Sequence, residues 1–117
     1  MPEALIKLPP QNLDAEQSVL GCLLIDKEAI TKMADILNPE DFYKDAHGLI
    51  LEAMYDLYDK REPIDLLSLA NRLNEKNQLD NIGGQTYLAS LANAVPTASH
   101  VVTYATIVQK KATLRRL

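Results

Sequence analysis

Cysteine is almost missing from this sequence. A lone Cys22 among 117 residues permits no internal disulfide. It sits in the apolar run Val19 to Ile25, where a free cysteine behaves as a small hydrophobe. No cationic neighbour stands beside it to lower its pKa. One cysteine and two distant histidines, His47 and His100, offer no zinc spacing, so no bound metal is expected. Tryptophan is absent and phenylalanine occurs once, so aliphatic side chains must build the core. The longest strongly apolar run, Val19 to Ile25, is too short to span a bilayer. Met1-Pro2-Glu3 begins no basic-then-apolar leader. A reducing, cytoplasmic setting without a membrane partner is expected.

Glycine is also scarce. Gly21, Gly48, Gly83 and Gly84 are never followed by Lys-Ser or Lys-Thr, so the phosphate-cradling loop of nucleotide-hydrolysing enzymes is missing, as is the dinucleotide glycine pattern. The stretch "IGGQTYL" places two glycines before a helix but contains no Lys or Arg, so phosphate binding there is not expected. Glu40 and Asp41 are adjacent and point in different directions, which reads as helix-start charge. Ser18, Ser68, Ser90 and Ser99 have no visible base partner. His47 reads as a partly buried structural residue and His100 as a first-turn surface residue. No catalytic residue and no bound cofactor are expected.

Acidic residues are absent after Asp80. Residues 1–80 carry 16 acids against eight Lys and Arg, or −8; residues 81–117 carry four cations and no acid, or +4. Lys110, Lys111, Arg115 and Arg116 lie late in a final helix, where cations complement the helix dipole. They could equally form a strip that meets an acidic partner surface.

What the sequence does contain is helical spacing. Hydrophobic residues make up 47% and charged residues 24%, the balance of a globular chain. Period-2 alternation is nearly absent. Asn12 caps a first helix in which Glu16, Val19, Leu20, Leu23 and Leu24 fall on adjoining positions. Gly21 costs about 1 kcal/mol inside that helix, which implies a close neighbour. Asp26 caps a second helix with the stripe Ile30, Met33, Ala34 and Leu37, ended by Asn38-Pro39. "NPEDFY" makes a short turn anchored by Phe42. Asp45 caps a third helix whose inward face is His47, Ile50, Leu51, Met54, Leu57 and Tyr58. Asp65 caps a fourth with Leu66, Leu69, Ala70 and Leu73, and Asn77 terminates it in a left-handed conformation. Gly83-Gly84 turns into a fifth helix with Leu88, Leu91, Ala92 and Val95, stopped by Pro96. Thr97 or Ser99 opens the last helix, with Val101, Tyr104, Ala105, Val108 and Ala112 on one face.

Six helices with short connections imply an all-α compact bundle. The expected layout is an arm over 1–12, a globular domain over 13–98, and a C-terminal helix over 99–117. That last helix reaches Leu117 without a stop signal and carries Ile107, Leu114 and Leu117 off its main face. It wants a second partner, either another copy or sequence following Leu117. Residues 65–95 place two helices around a glycine turn, so a helix-turn-helix DNA-binding regulator is the alternative reading. Its would-be recognition helix, Gln85 to Val95, has no Lys or Arg to neutralise phosphates.

Several motifs in order resemble the N-terminal domain of bacterial replicative DNA helicases of the DnaB type. They are "PPQNLDAEQSVLG" at 9–21, "EDFYKDAHGLI" at 40–50, "EPIDLLSLANRL" at 62–73, "IGGQTYLASLANAVPTASHV" at 82–101 and "LRRL" at 114–117. The resemblance implies a non-catalytic helical collar domain. Such domains pair through a helical hairpin near the C-terminal end, and three pairs crown a hexameric ring of ATPase motors. It implies docking of the C-terminal domain of primase at the replication fork and action of loader proteins on the assembly in some lineages; little or no direct nucleic-acid binding is expected from the cation-free Gln85 to Val95 helix itself. ATP and magnesium would belong to a motor domain beyond a linker, neither of which is in this sequence, nor is the second helix of the pairing hairpin. Carried onto this chain, the self-association residues are Tyr104, Ile107, Val108, Lys111 and Leu114. Tyr87, off the Leu88/Leu91/Val95 stripe, is the expected primase contact, since an exposed tyrosine is a common interface anchor.

Overall fold

The computed structural model describes residues 8–117, all of them in helices, turns or loops. Residues 1–7, which include Met1–Glu3 and most of the expected arm, lie outside the described residues. In order, the chain forms α1 (Leu13–Ile25), α2 (Ala29–Met33), a 3-10 turn (Pro39–Asp41), α3 (Asp45–Asp59), α4 (Leu66–Glu75), a second 3-10 turn (Asp80–Ile82), α5 (Gly84–Ala92) and α6 (Val101–Arg115). The all-α architecture is as the helical spacing implies.

α1 is the central element. Val19, Leu20, Cys22 and Leu23 are at most 1% exposed, and Gly21 is buried with them. A helix enclosed on nearly every side is apolar around its circumference and carries no single stripe. α6, α5 and α3 pack around it, and α4 closes the far side of α3 and α5. Ile50, Leu51 and Met54 of α3, Leu69 and Leu73 of α4, Leu88 and Leu91 of α5, and Ala105 and Val108 of α6 complete one continuous core. Each buried Leu, Ile, Val or Met contributes roughly 1.5–3 kcal/mol of transfer free energy. The Cys22 thiol faces this interior, and burial, with the Asp26 charge beside it, pushes its pKa up, so it is the inert hydrophobe its apolar setting implied.

Gly21 shows why the first helix tolerates a glycine. A Cβ built there would collide with the Leu91 carbonyl oxygen and press on the Val95 side chain. α1 and α5 therefore touch backbone to backbone at this point.

The helix ends follow local chemistry in part. The Asn12 side chain accepts from the Ala15 amide at 2.9 Å, and Asp65 accepts from the Ser68 amide at 2.8 Å. Asn77 adopts φ 58, as expected of a left-handed terminator, and Gly83 and Gly84 both have positive φ. Asp45 is not a cap: it is the first residue of α3, and Lys44 holds the cap position. Asp26 accepts from the Glu28 amide, and α2 begins only at Ala29. α6 starts after His100 instead of Thr97 or Ser99, because Thr97 Oγ1 accepts from the Ser99 amide and closes a separate turn first. Leu66, expected on the inner stripe of α4, is 41% exposed, beside Leu67 at 78%.

Arg61 ends α3 at φ 60. Its amide donates to the Tyr58 carbonyl at 3.0 Å, and the Glu62 amide reaches back to Leu57 at 2.8 Å, the wrapped C-terminal motif that glycine usually provides. A side chain held in this conformation costs roughly 1–2 kcal/mol, and glycine's greater freedom in the unfolded chain takes some of that gain back. Arg61→Gly is expected to raise stability by about 0.5–1 kcal/mol in urea denaturation. A lowered midpoint would mean that the arginine side chain contributes more than the backbone strain costs.

Candidate functional site

The last helix divides along its length. Val101, Ala105, Val108 and Ala112 are at most 1% exposed and seat α6 on α1. Val108 is thus fully occupied by the core of its own chain. Tyr104 and Ile107 are half-buried against that core, Lys111 is half-buried, and Leu114 is 49% exposed. Val102, at 44% exposed, adds an apolar residue on the outer side that the sequence did not single out. The cations are not equivalent. Arg115 and Arg116 turn back onto the body, where Arg115 donates to the carbonyls of Pro10 and Asp41 and Arg116 pairs with the Asp41 carboxylate. Lys110 points to solvent.

Tyr87 is half-buried and its hydroxyl points inward. The hydroxyl lies 2.6 Å from His47 Nε2, and His47 Nδ1 lies 2.7 Å from Glu16 Oε1. Glu16 also accepts from the amides of Tyr43 at 2.7 Å and Lys44 at 3.3 Å. Glu16 and His47 are 1% and 0% exposed; the histidine is therefore deeper than the partly buried position its sequence suggested. Glu16 already accepts from two amides, so Nδ1 of His47 carries the proton that faces its carboxylate, and Nε2 is the ring's hydrogen-bonding contact with the Tyr87 hydroxyl. Gln17 Nε2 donates to the same phenolic oxygen at 3.4 Å. The His47 and Tyr87 rings stack with centroids 5.9 Å apart, and Lys44 Nζ sits 4.7 Å over the outer face of Tyr87. Three helices and a loop are stitched through this buried line, leaving the Tyr87 ring and Lys44 at the surface.

Residues 8–110 match the family described as DnaB-like helicase N terminal domain. This chain belongs to that family. Over 111 residues it is 48% identical to the replicative DNA helicase DnaB of Geobacillus stearothermophilus and 44% identical to the replicative DNA helicase DnaC of Bacillus subtilis strain 168. Each match covers 95% of this chain and 24% of the relative, so the chain spans about a quarter of these relatives' length. The crystal structure of the N-terminal domain of DnaB helicase from Mycobacterium tuberculosis superposes with a TM-score of 0.92 at 47% identity, covering 94% of this chain and 76% of that one.

Within this DnaB-type domain, the buried line was missed by sequence reasoning, although both halves left a trace. Glu16 lies on the inward positions of α1 with Val19, Leu20 and Leu23, and His47 lies on the inward face of α3. Two polar groups aimed into one core must find partners, and here they find each other. Asp41, read as helix-start charge, does accept from the Asn38 amide at 2.9 Å. It is also buried and gathers both terminal arginines of α6. Among the described residues, no group of three His, Cys, Asp or Glu stands together as a metal site, and no helix is long and apolar enough to cross a membrane.

Proposed function

We propose that this domain is a non-catalytic collar module of a replicative DNA helicase, pairing with a second copy through the outer edge of α6 and docking a primase domain. In this reading ATP and magnesium act in a separate motor domain, in the bacterial cytoplasm, and loader proteins meet the assembled ring. The observation that carries it is the edge of α6 left over once its inner edge is filled: Tyr104, Ile107, Lys111 and Leu114 run along it over three turns. Aromatic and aliphatic residues flanked by a cation are the usual makings of a protein interface core with a polar rim. Tyr87 and Lys44, held from beneath by the His47 line, are the proposed primase contact.

Sedimentation velocity over a concentration series tests the pairing. The wild-type domain is expected to shift toward a dimer as concentration rises, and Leu114→Asp, at a half-exposed position, to stay folded and monomeric. A variant that pairs as well as wild type would remove α6 from the interface. Titration with the C-terminal domain of primase, comparing Tyr87→Phe and Lys44→Ala with wild type, reads the docking face separately.

A further inference from the structure

The last turn of α6 makes contacts that the proposed pairing edge does not use. Cations there ordinarily complement their own helix dipole. Arg115 instead donates from Nη1 to the Pro10 carbonyl at 2.8 Å and from Nη2 to the Asp41 carbonyl at 2.6 Å. Its guanidinium lies 5.5 Å over the Tyr43 ring. Arg116 pairs with Asp41 Oδ1, while Oδ2 of the same carboxylate caps the Asn38 amide. Asp41 is 4% exposed, so its charge needs this partner. One residue, Arg115, thereby touches chain positions 10, 41 and 43 at once.

We propose that Arg115, Arg116 and Asp41 form a clasp that locks the entry into α1 and the last turn of α6 into one unit. Closed, it holds Leu114 in helical register with Ile107 and Lys111; open, it releases both segments together. The guanidinium fork suits this task because two donors in fixed geometry reach two carbonyls, which an ammonium on a flexible stem does not reproduce. The locking stands on the contacts alone; its effect on pairing rests on the proposed function above.

Backbone amide NMR on the full 117-residue chain tests the clasp, through the 15N heteronuclear NOE at Gln11 and Asn12 and at Leu114 and Leu117. Arg115→Met and Arg115→Lys are both expected to lower the NOE at both segments while α3 and α4 stay unchanged. Loosening confined to Leu114–Leu117, with Gln11 and Asn12 as in wild type, would overturn the clasp and leave an ordinary fraying helix end. Sedimentation of the same variants reads the consequence: a dimer dissociation constant raised about tenfold supports it, and unchanged pairing in a protein loosened at both ends overturns it. A wild-type chain that never pairs would sink the pairing role, yet the NMR comparison would still decide the clasp.

Discussion

Gly21→Ala is expected to lower the thermal midpoint by roughly 8 °C. On intrinsic grounds the change should help, since alanine is favoured over glycine in a helix interior by about 1 kcal/mol. The added methyl, however, would meet the Leu91 carbonyl oxygen on α5. A backbone atom cannot swing aside as a side-chain tip does, so α1 and α5 must separate. Overpacking of this kind costs typically 1–3 kcal/mol, occasionally more. A net loss of about 2 kcal/mol corresponds to several degrees in a domain of this size. The sign is what matters: a raised midpoint in differential scanning calorimetry would mean that the two helices do not approach so closely.

Glu16→Ala is expected to cost about 3–5 kcal/mol, a large share of the 5–15 kcal/mol that holds a typical domain together. The substitution strands three donors, the part-buried amides of Tyr43 and Lys44 and the fully buried Nδ1 of His47. Each unsatisfied donor carries roughly 1–3 kcal/mol of desolvation, although such losses are not additive. Tyr87→Phe, which removes only the hydroxyl facing His47 Nε2, should cost about 1 kcal/mol on the same scale. Urea denaturation of both variants gives the comparison. If Glu16→Ala costs no more than Tyr87→Phe, the carboxylate is not the anchor of the buried line.

These two sites mark the limits of what the sequence disclosed. Six helices, the caps at Asn12 and Asp65 and the left-handed stop at Asn77 were readable because each depends on a residue and its near neighbours in the chain; the close approach at Gly21 was readable because a glycine inside a helix calls for one, though not that Leu91 makes it. The start of α3 was not. Glu16, 28 positions before Lys44, grips the amides just ahead of that helix, so a long-range bond set a boundary that Asp45 was expected to set locally. Leu66 failed for a related reason: helical spacing placed it inward, but the residues α4 buries are Leu69, Ala70 and Leu73. On α6, periodicity placed Val101, Tyr104, Ala105, Val108 and Ala112 on one face; all are buried but Tyr104, which is half-buried at its margin. It could not tell that Val108 had no face left over, nor that Arg115 and Arg116 would be drawn back to Asp41.

The central position of α1 has a bearing on how the domain comes into being. α1 precedes the other described helices in the chain, yet its principal neighbour, α6, follows all of them. Until residues 101–115 have left the ribosome, Val19, Leu20 and Leu23 lack one wall of their enclosure. An apolar first helix therefore waits for one of its walls while the intervening helices are made, and the α1–α6 contact joins segments far apart in sequence, the kind of contact that forms late in folding.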